Sequence, residues 1–149
     1  MGPQDPDYLT PASAHDRRPQ SAPPDVVLLA AEWQPRALIR AQLIEEGLEV
    51  VAADSWPMMR RHLRPGLKPR LAIVDLKGLA NADGVLGDLR TLMPPGRVLV
   101  VTALGSRAAL DVARAGFNAL SRPIAIGDVV RAARAMIQDA ATCTRNRSS

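Results

Sequence analysis

At 149 residues with 47% apolar side chains, the chain has a one-domain length and enough aliphatic material for one core. Its net charge of +4 and isoelectric point near 10.2 argue only modestly for a polyanionic partner. The lone Cys143 excludes an intramolecular disulfide, and no apolar stretch approaches transmembrane length, so the chain reads as soluble and cytoplasmic. From Met1 to Pro24 the sequence is polar and proline-rich, which predicts a disordered leader. One domain is expected over 25–140, followed by a polar tail over 141–149. Within the domain, short apolar runs at Val26–Ala30, Glu49–Ala53, Leu71–Asp75, Val98–Thr102 and Ala119–Ser121 predict strands. Between and after them, helical spacing spans Pro35–Glu46, Ser55–Leu63, Leu79–Met93, Ser106–Ala115 and Ile126–Ala140. In the first of these helices Leu38, Ala41, Leu43 and Ile44 form the expected apolar face. Gly47, Gly66, Pro94 with Pro95, and Gly116 supply stop signals, and Ser55 and Ser106 are the expected N-caps. Gly84 and Gly87 make the third helix the least regular.

Strand and helix alternate five times, the rhythm of a parallel sheet, and the strand runs are continuously apolar, as strands covered on both faces should be. The expected architecture is α/β, a doubly wound five-stranded parallel sheet of flavodoxin-like (βα)5 type with strand order 2-1-3-4-5. In such a sheet ligands bind outside the carboxyl ends of the strands, where the strand order reverses. Asp75 ends the third strand. A carboxylate is costly in apolar surroundings, so Asp75 is either the polar terminus of a core strand or a group kept for chemistry. Glu32 and Trp33 follow the first strand, Thr102 ends the fourth and Arg122 follows the fifth. A carboxylate, a hydroxyl and a cation would thus converge on one crevice. No glycine-rich phosphate loop follows the first strand, which argues against a flavin or nucleotide enzyme.

Four stretches in order, VLLAAEWQP, LAIVDLKG, VLVVTALGS and ALSRPI, resemble response-regulator receiver domains, and the resemblance covers about Asp25 to Ala140. It implies that Asp75 is the acceptor of a phosphoryl group from a histidine kinase and that Thr102 and Arg122 contact that group. Arg122 stands where the family has lysine, ahead of a usually cis proline, here Pro123. The acidic pair that organises Mg²⁺ falls on Glu32 and Trp33, so Mg²⁺ is expected to bind only weakly, through Glu32 and Asp75. Lys77, two residues past Asp75, disfavours a cation further, and Arg122 is expected to hold Asp75 in an ion pair. Ala119 occupies the position of the family's switch aromatic. Trp33 is expected to pack over the crevice, and Thr102 serves equally well as a cap for the next turn.

What the resemblance implies for function is a stand-alone, degenerate receiver in two-component phosphorelay signalling. It would not be an enzyme. Its partner would be a histidine kinase or another signalling protein, with no membrane and with nucleic acid disfavoured. The family's contact face would bring in Val129, Val130, Ala133 and Met136 of the last helix, with Arg131 and Arg134. One alternative is a conventional receiver phosphorylated on Asp75. Another is a small basic nucleic-acid binder using Arg60, Arg61, Arg64, Lys68 and Arg70, whose plainer meaning is a solvated helix end.

Overall fold

Alternate residues of each central strand belong to opposite layers. Val27 and Leu29 face one core and Val26 and Leu28 the other, which is why these runs carry no polar residue. The computed structural model describes residues 22–148, apart from 67, 104 and 105. The expected leader lies outside the described residues up to residue 21.

The strands are β1 (Val26–Leu29), β2 (Val50–Ala53), β3 (Leu71–Asp75), β4 (Val98–Ala103) and β5 (Asn118–Arg122). They form one sheet in the order β2-β1-β3-β4-β5, with every pairing parallel. This is the expected doubly wound arrangement, with the order reversing between β1 and β3. The helices are α1 (Trp33–Glu45), α2 (Trp56–Arg60), α3 (Ala82–Leu92), α4 (Arg107–Arg114) and α5 (Ile126–Ser148), with a 3-10 turn at Pro95–Arg97. Helices α1 and α5 cover one face of the sheet through Ile39, Leu43, Val129, Val130, Ala133 and Ile137. On the other face Met59, Leu63, Val85, Leu89 and Val112 supply most of the cover.

Several expectations change in detail. The buried stripe of α1 is Ile39 and Leu43, whereas Leu38 and Ile44 are 45% and 43% exposed and Ala41 is also exposed. Helix α2 ends at Arg60, three residues before the expected Leu63. Helix α3 starts at Ala82 because Asn81 adopts a left-handed backbone (φ 55°), which no helix continues through. The last helix runs past Ala140 to Ser148. Ser106 caps α4, its hydroxyl accepting from Ala109 N–H at 3.1 Å, but Ser55 makes no side-chain cap bond. Gly47, Gly66 and Gly116 do end their segments at positive φ, the backbone region that glycine reaches without penalty.

Candidate functional site

Asp75 is the last residue of β3 and is only 4% exposed. A carboxylate at that depth must be paired. Arg122, the last residue of β5, donates from Nη2 to Asp75 Oδ2. The parallel register explains how two residues 47 apart meet: Asp75 lies level with Val101, and Arg122 with Ala103, so both emerge at the same end of the sheet. Lys77 N–H donates to the other carboxylate oxygen, Oδ1, at 3.0 Å. The Arg122–Pro123 peptide bond is cis. Thr102 is wholly buried in β4, one residue beyond the level of Asp75, and its hydroxyl has no hydrogen-bond partner among the described residues. Ala119 in β5 is exposed.

The metal position comes out differently from the sequence expectation. Leu29 pairs with Val74, so the next residue of the strand, Ala30, comes level with Asp75. The two residues following β1 at this level are therefore Ala30 and Ala31, and Glu32 and Trp33 sit on the turn beyond. Glu32 Oε1 lies 3.4 Å from Lys77 Nζ. The carbonyls of Ala30 and Ala31 accept from Arg36 Nη1 at 2.8 and 3.3 Å. Mg²⁺ requires several oxygen ligands in near-octahedral geometry. Here Asp75 is held by a guanidinium, the Lys77 ammonium beside Glu32 repels a cation, and the residues level with Asp75, Ala30 and Ala31, offer only methyl side chains. The residues present do not fit Mg²⁺, and the described residues include no group of three or more His, Cys, Asp or Glu able to hold a metal ion.

Trp33 is 71% exposed and does not pack into either core, contrary to expectation. It stands at an open cleft of about 620 Å³ lined by Ala31, Glu32, Trp33, Gln34, Pro35, Lys77 and Arg122. The contact face expected on the last helix is also corrected. Val129, Val130 and Ala133 are buried against the sheet, Met136 is partly buried, Arg131 pairs with Asp128, and Arg134 reaches Glu46 at 3.4 Å. The sequence reading missed Arg36. An arginine one turn into the helix that follows the first strand was the available signal, because the carbonyls at that strand's end need donors.

Solved structures of receiver domains superpose on this chain over nearly their whole length. The receiver domain of NtrX from Brucella abortus matches with a TM-score of 0.64 at 20% identity, covering 76% of this chain and 98% of that one. A receiver domain from Clostridium thermocellum matches with a TM-score of 0.64 at 22% identity, covering 79% and 97%. This is the receiver fold. The receiver domain of Francisella response regulator 1452 has the same arrangement, with a TM-score of 0.65 at 17% identity, covering 78% of this chain and 98% of that one. No protein-family model matches the sequence, and no curated protein matches it. The end of the sheet carrying Asp75, Thr102 and Arg122 is the carboxyl end of the strands, where open α/β sheets bind ligands. No helix among the described residues is long and apolar enough to cross a membrane.

Proposed function

We propose that this chain is a degenerate receiver of two-component signalling, which acts by contact with a signalling protein while its acceptor carboxylate stays ion-paired. The observation that carries this reading is the guanidinium of Arg122 on Asp75, combined with alanines at the level where a metal-binding carboxylate would be needed. Phosphoryl transfer to a carboxylate brings two negative groups together, and Mg²⁺ normally offsets that charge. Here no metal ligand stands beside Asp75 to supply that offset, and the cation present is a side chain paired to the acceptor itself. A planar guanidinium that grips the carboxylate also covers the oxygen that would attack phosphorus. One observation favours the conventional alternative: the hydroxyl of Thr102 is buried with no partner among the described residues, as a group reserved for a phosphoryl oxygen would be.

Incubation with a small phosphodonor and Mg²⁺ separates the two. The unaltered protein is expected to take up no label and to show no Mg²⁺-dependent rise in melting temperature. Ala31→Asp supplies a carboxylate next to the level of Asp75 and should gain a Mg²⁺ response, with a size set by metal concentration over dissociation constant. Trp33→Asp, on the turn beyond, should gain none. Efficient Mg²⁺-dependent labelling of Asp75 in the unaltered protein, absent in Asp75→Asn, would establish the conventional reading instead.

A further inference from the structure

The cleft beside the ion pair carries features that a protein-contact role does not use. Trp33 leaves 71% of its surface in water, although tryptophan is on average a well-buried residue. A single exposed ring needs no explanation by itself, but this one lines a cleft of about 620 Å³, inside the range of roughly 300–1,000 Å³ typical of small-molecule sites. Two cations, Lys77 and Arg122, line the cleft, with Glu32 as the carboxylate among its described lining residues, and Arg122 also holds Asp75.

The donors there are available. The Lys77–Glu32 contact is 3.4 Å long between side chains 57% and 47% exposed, a pair that solvent screens and an anion can replace. Arg122 has several N–H donors, and its bond to Asp75 uses only Nη2. The first turn of α1 lines the cleft through Trp33, Gln34 and Pro35, and its N-cap residue Glu32 makes no side-chain cap bond, which leaves first-turn N–H groups open to a ligand.

We propose that this cleft binds a small aromatic anion, a flat ring bearing a phosphate or carboxylate group. The ring lies on Trp33 and the anionic group sits between Lys77 and Arg122. The ligand replaces phosphorylation as the signal read at this end of the sheet, and in that respect the inference rests on the reading of Asp75 as a non-accepting residue. Aromatic stacking supplies affinity with little demand on ring identity, and the two cations supply the requirement for charge.

Intrinsic fluorescence of the full chain tests this, because Trp33 and Trp56 are the only tryptophans and Trp56 packs against the core. With adenosine 5′-monophosphate as probe, saturable quenching is expected at millimolar or lower concentration, with adenosine and inorganic phosphate each about tenfold weaker or worse. Lys77→Gln, at an exposed position, should weaken the probe about fivefold or more, and Trp33→Leu should abolish the heat of binding in calorimetry. No saturable response to the monophosphate, an equal response to adenosine, or unchanged affinity in Lys77→Gln would each overturn the proposal. Phosphodonor labelling stays a separate readout: a labelled Asp75 defeats the degenerate reading, whereas an unlabelled Asp75 with no probe binding defeats the ligand alone.

Discussion

Asp75 and Arg122 are unequal partners, and the inequality is measurable. The side chain of Asp75 is 5% exposed and that of Arg122 27%. Removing Arg122 leaves a buried carboxylate with Lys77 N–H as its remaining donor among the described residues, so Arg122→Gln should cost about 3 kcal/mol, the low end for a broken buried pair because water reaches the arginine. Asp75→Asn leaves a guanidinium that can turn toward solvent, so about 1 kcal/mol is expected. Urea unfolding of the two variants checks the order; a larger loss for Asp75→Asn would mean that the pair is not what shields the carboxylate. This pairing was legible in the sequence, because in the expected sheet both residues follow strands that end at the same, carboxyl end, one strand apart. The neighbouring metal position was not. Glu32 is the one acid near the end of β1, so it drew the assignment, and nothing in an unbroken apolar run marks which residue comes level with Asp75. Only the pairing of Leu29 with Val74 decides that.

Helix α1 shows the same limit one level up. Its apolar residues satisfy helical spacing twice: Leu38, Ala41 and Ile44 make one stripe, and Ile39 with Leu43 makes another. Periodicity proves a helix but cannot choose between two stripes. The choice is tertiary, set by how the turn after β1 aims the helix at the sheet, and it falls on Ile39 and Leu43, 2% and 0% exposed. The strands were easier to read, since both faces of β1, β3 and β4 are covered and an unbroken apolar run is the direct consequence. The starting point of α3 was harder, because a left-handed Asn81 leaves only a faint mark in sequence. Truncation separates the stripes of α1. Ile39→Ala should cost about 2–5 kcal/mol, since it opens a cavity between helix and sheet, whereas Leu38→Ala should cost well under about 1 kcal/mol. Chemical denaturation of both variants reads this directly, and equal losses would place α1 in the wrong rotation.

For the molecule as a whole, the pH dependence near neutrality should trace to one side chain at the far end of the sheet from Asp75. His62 follows α2 and is partly buried; burial first, then the charges of Arg61 and Arg64, hold its pKa below the ordinary 6.5. Well above pH 6.5 the imidazole is neutral in both the folded and unfolded chain, so it contributes nothing to the slope there. As pH falls below 6.5 the unfolded chain takes up a proton that the folded one still refuses, and stability drops until the folded histidine titrates as well. The chain has two histidines, and the other, His15, lies outside the described residues. The melting temperature should therefore fall between about pH 7.5 and pH 5.5, and His62→Gln should flatten that fall, because glutamine cannot take up the proton. The comparison needs only thermal melts of the two proteins across that range. A fall in His62→Gln as steep as in the unaltered chain would show that the basic surface of Arg61 and Arg64 leaves His62 free to protonate in the folded state, and that the acid sensitivity arises elsewhere.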